Sequence, residues 1–366
     1  MVSNLKNFLY QNLDLVFISL FISLFLVLTL SLLWVPPRWD EKVYLDFRYF
    51  PLNAHWVPHP PLLWYLLAVF SLIPRMAILM CSLVCMLFLF YACRRLYGAK
   101  IAGLAVAVLA ANWLYMLLGS LVIFTDAPVT AFMTISTISF LCWLKLDEQK
   151  FLLISGLGLA LASITKYTAA PIILATSFIW LIAVGKRLGR AKILKMFAVA
   201  AISLLPLVYW IYLLYKTFGN FVSYYSTVYN IFPSISLLTI FSPLHSAPFH
   251  VRSYLPLFAF NIGYYAVWTF VLANFPIISW VRQRQFDLDS KLLLAYIVVI
   301  FILFVVIQKQ DIGNFRYILP MAPSLAIISA KNMVKEKMWL RFSILFVQFL
   351  CASIITYVAL VPYPFR

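Results

Sequence analysis

Two carboxylates stand side by side in Trp39-Asp40-Glu41-Lys42-Val43-Tyr44. Adjacent carboxylates repel, and a nearly apolar setting raises the pKa of at least one of them. That suits a general base taking a proton from an incoming hydroxyl. It suits a polar helix cap equally well, with Asp40 facing helix amides. His55-Trp56-Val57-Pro58-His59-Pro60-Pro61-Leu62 follows, two imidazoles in a loop stiffened by prolines. His55 and His59 are suited to a phosphate, to a divalent metal shared with a carboxylate, or to a plain structural role. Thr125-Asp126-Ala127-Pro128 carries the signature of a helix start, and it brings a third carboxylate with it. Thr165-Lys166-Tyr167 sets a lysine between apolar stretches. A buried lysine must find an anion, either a ligand's or that of Asp126 or Asp40. Lys309 and Arg316 lie in Gln308-Lys309-Gln310-Asp311-Ile312-Gly313-Asn314-Phe315-Arg316-Tyr317. The planar fork of Arg316 fits phosphate oxygens, and it fits snorkelling at a membrane interface as well.

The rest of the chain must hold these groups in lipid. Hydrophobic types make up 65% of the 366 residues and charged types 11%, with a mean hydropathy of +0.98. A soluble domain carries roughly 45–50% apolar and 25% charged residues. This chain has too little polar surface to cover a globule in water, which excludes disorder, collagen, a disulfide scaffold and a cytosolic enzyme. The five cysteines all lie in apolar stretches and read as small buried side chains rather than as a redox or metal site.

Eleven apolar stretches approach the roughly 20 residues of a membrane helix: 15–35, 76–93, 101–118, 127–144, 151–165, 169–185, 196–215, 257–280, 292–307, 314–330 and 341–361. Lysines and arginines in short loops set orientation. With the amino terminus cytoplasmic, Arg94, Arg95 and Lys100, the run Lys186 to Lys195, and Lys331 to Arg341 all fall inside, with most of the 28 basic residues. The net charge of +17 is therefore topological and faces anionic lipid, not nucleic acid. The segment 60–74 has an apolar core too short to cross, so it reads as re-entrant or interfacial, within a first outer loop of about 36–75. A second outer loop runs over about 216–256. The acids at the inner side, Asp287 and Asp289 among them, read as solvated loop charge.

On this topology Asp40, Glu41, Asp46, Asp126, Asp311 and all four histidines gather on the outer side. A transporter places ionisable groups near the bilayer midplane. Here no helix carries a charge at its middle, which points to an active site at the outer surface. The rival readings are a lipid-linked glycan flippase or transporter, and a non-catalytic subunit of a membrane glycan-assembly complex.

Taken in order, Asp40-Glu41 with Tyr44, His59-Pro60-Pro61-Leu62, Thr125-Asp126-Ala127-Pro128, Thr165-Lys166, and Arg316-Tyr317 with Pro320 resemble the polytopic glycosyltransferases of the GT-C fold. The nearest branch resembles the dolichyl-phosphate-mannose protein mannosyltransferases and the lipid A aminoarabinose transferases. The resemblance covers roughly residues 15–330. It implies an all-α bundle of about eleven transmembrane helices, with a large first outer loop carrying juxtamembrane helices. One transmembrane domain would span 1–366 with no separate soluble domain, the loop 36–75 being catalytic and 216–256 gating the substrate. The implied reaction moves a sugar from a polyprenyl or dolichyl phosphate to a hydroxyl of a lipid, glycan or protein, with inversion, outside the plasma (inner) membrane. Asp40 would be the base, Glu41 its partner, and Asp126 would shape the site. Lys166, Arg316, Arg252 and Lys309 would hold the donor phosphate, and Tyr44, His55, His59 and Tyr167 the sugar or acceptor. Some members bind a divalent ion, for which His55 and His59 are the candidates. Two departures stand out: no sugar-binding-type insert is present, and Lys42 follows the acidic pair where a small residue is common.

Overall fold

The computed structural model describes residues 13–35, 41, 45, 61–184, 189–218, 287–307 and 315–360. All regular structure among them is helical. α1 (Leu13–Ser31) rises to the end of the bundle where α2 (Leu62–Val69) lies. α3 (Pro74–Tyr97) descends from there. Pro74 opens it at a position where no backbone donor is needed. Gly98 closes it at φ +89°, a conformation that favours glycine. α4 (Ala99–Ala110) and α5 (Trp113–Leu118) climb back. α6 (Asp126–Leu146) descends, α7 (Gln149–Ser163) rises and α8 (Ala169–Val184) descends. α9 (Arg190–Phe218) and α10 (Leu288–Ile307) rise. A 3-10 turn (Phe315–Met321) leads into the descending α11 (Ala322–Met333), and α12 (Met338–Leu360) rises last.

Four of the described helices are long and apolar enough to cross a membrane: α3, α6, α9 and α12. α9 turns Ile202, Leu205 and Val208 outward, and α12 turns Phe346, Leu350 and Ile354 outward. In water such faces would be costly; in lipid they are the ordinary covering. The chain is a multi-pass membrane protein.

Some apolar stretches do not become single helices. The stretch 101–118 breaks at Ala111-Asn112, because the Asn112 side chain accepts a bond from the Tyr115 amide at 3.1 Å and starts a new helix. The stretch 314–330 begins as a 3-10 turn, where Pro320 has no amide hydrogen to give an α-helix. The segment 60–74 holds only the eight residues of α2, about 12 Å of helix. That is far short of the roughly 30 Å hydrocarbon core. The stretch 257–280 lies outside the described residues.

α6 and α7 form the tightest helix pair, and the glycines explain it. A Cβ on Gly158 would stand 2.6 Å from the Ser136 amide nitrogen and 2.9 Å from the Phe132 carbonyl oxygen. The Ser136 hydroxyl donates to the Ser155 carbonyl across the same contact, at 2.9 Å. Small residues drive such backbone approach in lipid, where apolar burial alone gives helices no preference for one another.

Among the described residues, charge is confined to the two ends. At the basic end Lys145 pairs with Asp289 at 2.6 Å, Lys192 with Asp147, Lys331 with Asp287, and Glu148 with both Arg95 and Lys150. Lys150 and Arg95 hold Glu148 below the usual carboxylate range. Asp289 departs from the expectation of a solvated loop acid. It is 6% exposed, because Lys145 reaches it from α6 while Lys145 and Lys331 lie 5.3 and 4.7 Å from the Tyr97 ring centre. The salt bridges join α3, α6, α7, α9, α10 and α11 at this one end.

Gly158→Val tests the close pair. It forces backbone apart and should lower stability by about 1–3 kcal/mol, read as a drop in thermal midpoint in detergent. An unchanged midpoint would mean that α6 and α7 do not touch as described.

Candidate functional site

The opposite end collects most of the motifs that fall within the described residues. Glu41 is fully buried there. Arg75, from the first turn of α3, grips its carboxylate with two nitrogens, Nη2 at 2.8 Å and Nε at 3.2 Å. The Ile123 amide donates to the same carboxylate at 2.9 Å. Arg75 also donates through Nη1 to the Leu32 carbonyl at 3.3 Å, just past α1. One buried carboxylate thus fastens the end of α1, the first loop, the start of α3 and the connection before α6. A fork-to-carboxylate pair has the geometry to survive burial, since each charge meets oriented partners.

Asp126 and Lys166 form the second anchor. Both are buried, and Lys166 Nζ stands 2.6 Å from Asp126 Oδ1. The sequence offered Lys166 a ligand anion or a protein carboxylate, and the described partner is Asp126. Lys166 sits in the turn between α7 and α8, where its carbonyl accepts from the Ala169 amide at 3.0 Å. Beside it, Leu62 of the proline motif donates its amide to the Ile164 carbonyl at 3.1 Å. Motifs about a hundred residues apart in the chain are therefore tied backbone to backbone. The half-buried Tyr167 accepts from Trp210 Nε1 of α9 at 3.1 Å.

An apolar plate lies under these groups. Leu63, Trp64 and Leu67 of α2 pack on Ala77 and Ile78 of α3, on Ile123 and on Ala127. Tyr65 and Val69 on the other face are exposed. α2 thus lies on this end as a juxtamembrane helix, in keeping with the re-entrant or interfacial placement of 60–74. The 3-10 turn that carries Arg316 packs against α6, α10 and α5.

Arg75 was not among the site candidates read from sequence. Its signal was available: a lone arginine at the head of an apolar stretch, on the side poor in positive charge. Asp40, Tyr44, His55, His59, Arg252 and Lys309 lie outside the described residues. So do His245 and His250, and among the described residues no histidine, cysteine or acidic group is arranged to hold a metal ion.

Residues 58–243, just over half of the chain, match the family described as dolichyl-phosphate-mannose-protein mannosyltransferase. The chain belongs to that family. The mannosyltransferase match takes in His59-Pro60-Pro61-Leu62, Asp126 and Lys166; it begins after Glu41 and ends before Arg316. No curated protein matches the chain. Solved structures share its GT-C fold. ArnT from Cupriavidus metallidurans bound to undecaprenyl phosphate aligns with a TM-score of 0.61 at 17% identity, over 92% of this chain and 63% of that one. The apo state of the same protein aligns at 0.59 and 18%, over 94% and 65%. The oligosaccharyltransferase of Archaeoglobus fulgidus in the apo form aligns at 0.54 and 14%, over 96% and 57%. The chain spans less than two thirds of the length of each of these structures.

The Arg75–Glu41 clasp makes a stability prediction. Arg75→Met strands a buried carboxylate and should cost about 3–5 kcal/mol, while Arg75→Met with Glu41→Leu should regain much of that loss. Thermal unfolding in detergent reads both. Losses that simply add would show that the two side chains do not interact.

Proposed function

We propose that this family member is an inverting glycosyltransferase. It moves a sugar from a polyprenyl or dolichyl phosphate to a hydroxyl of a lipid, glycan or protein, on the extracytoplasmic face. The observation that carries the reading is the gathering of Glu41, Leu62 and the Asp126–Lys166 pair at one end of a mannosyltransferase-family bundle. Buried ionisable groups in lipid are expensive and mark sites of function.

In this reading the loop 36–75 is catalytic and 216–256 gates the substrate, within a single transmembrane domain. Asp40 takes the acceptor's proton. The acceptor oxygen then attacks the anomeric carbon from the face opposite the phosphate, and the bond from that carbon to the phosphate oxygen breaks. The electron pair leaves with the lipid phosphate, and the sugar is inverted. Glu41, held by Arg75 and the Ile123 amide, has the task of fixing the loop that carries Asp40. The departing phosphate needs cations aimed at the developing charge more than it needs an acid. Lys166 and Arg316 supply them, with Arg252 and Lys309 behind. Asp126 keeps Lys166 oriented until the phosphate arrives. Tyr44, His55, His59 and Tyr167 line the sugar and acceptor, where aromatic rings suit sugar faces. The amino terminus and the basic end face the cytoplasm, in keeping with the positive-inside rule.

The test uses purified full-length chain in liposomes, a radiolabelled polyprenyl-phosphate sugar and a membrane-extract acceptor pool. Wild type should transfer label, and Asp40→Asn should lose at least about a hundredfold. Equal transfer by both proteins would remove Asp40 from the chemistry. Donor bound but passed to no acceptor would favour a flippase or a non-catalytic subunit.

A further inference from the structure

A groove of about 410 Å³ runs between α6, α7, α8 and α9, away from the candidate site. Its wall is almost wholly apolar, including Phe140, Leu159, Phe178 and Leu204. On α7 it extends from Leu152 to Leu159, and on α9 from Met196 to Leu204. Counted at 1.5 Å per residue from the helix starts at the basic end, it covers depths of about 5 to 20 Å. That is the span of one leaflet, about half of the 30 Å hydrocarbon core.

The mouth of the groove is cationic. Phe197 borders both the groove and a shallower recess that is lined by Arg190 on the first turn of α9. Arg190 is exposed. The carboxylates nearest in the chain, Asp147 and Glu148, are already engaged by Lys192, Lys150 and Arg95. The connection from α8 to α9 contains basic residues and no acid. An apolar slot one leaflet deep, with a cation at the headgroup level, matches one kind of occupant.

We propose that this groove binds an anionic phospholipid of the leaflet at the basic end, one acyl chain in the slot and the phosphate at Arg190. A zwitterionic lipid would fill the slot equally well but would bring its own cation to the mouth. The carrier lipid of the reaction has its phosphate at the other end of the bundle. From there α6 places Phe140 about 21 Å away, fourteen residues beyond Asp126. The lipid would lie beside the seam where α7 and α9 approach most closely at Gly156, whose Cβ would stand 2.5 Å from Val199 and 2.6 Å from Ser203.

Native mass spectrometry of the full chain in detergent, titrated with dioleoyl-phosphatidylglycerol, dioleoyl-phosphatidylcholine or polyprenyl phosphate, tests this. Phosphatidylglycerol should bind in preference to phosphatidylcholine. Arg190→Gln should weaken it about fivefold, the effect of one basic residue at a lipid surface. Arg94→Gln, an exposed arginine at the same end, should leave it unchanged. Ser177→Phe, which fills the slot, should abolish retention, and the smaller Ala200→Leu serves if that variant does not fold. Equal binding of the two phospholipids would overturn the proposal, as would equal loss in Arg94→Gln. One-for-one displacement of phosphatidylglycerol by polyprenyl phosphate would overturn it too, giving the slot to the carrier's tail.

Discussion

A carboxylate buried at the edge of an apolar bundle has no water to solvate it. Glu41 is in that position, and Arg75 with the Ile123 amide replaces the solvent. The free energy of an unpartnered charge there is so unfavourable that the three groups must meet wherever the chain folds. Four segments converge as a result: the top of α1, the first loop, the head of α3 and the turn before α6. Asp126 and Lys166 repeat the logic one helix further along, joining the head of α6 to the turn after α7. The apolar plate under α2 then closes the floor between the two anchors.

The same cost explains the other end. Six helices are laced there by lysines, arginines and acids that face the rim, and the pair of Lys145 with Asp289 shows that even these sink when a partner is at hand. α6 connects the two worlds. Asp126 lies at its head and Lys145 in its last turn, nineteen residues or about 28 Å apart, close to the thickness of the hydrocarbon core. One end is rich in lysine and arginine. At the other, among the described residues, Glu41 is held by Arg75 and Asp126 by Lys166.

The sequence made the bundle legible because lipid imposes simple rules on length and charge. Most apolar runs within the described residues became helices, and the short core of 60–74 became the eight-residue α2. What stayed hidden depended on single side chains acting at a distance. Asn112 cuts one run into two helices by capping Tyr115, and Pro320 turns another into a 3-10 start. Within the site, Asp126 and Lys166 were named from their local patterns, and their pairing was one of the alternatives. Arg75 was missed because a lone arginine resembles an interfacial snorkel until its partner thirty-four residues away is known. The backbone bond from Leu62 to Ile164 leaves no trace in side-chain chemistry at all.

The central claim is that the end holding Glu41, Arg75, Asp126 and Lys166 receives the lipid-phosphate sugar. A polyprenyl-phosphate analogue with a diazirine beside the phosphate would test it most directly, by photolysis in liposomes and peptide mapping of the adduct. The account predicts label on the peptides that hold Leu62–Val69, Ile123–Asp126 and Thr165–Tyr167. Label concentrated instead on the peptides that hold Tyr97, Lys145 and Asp289 would contradict it.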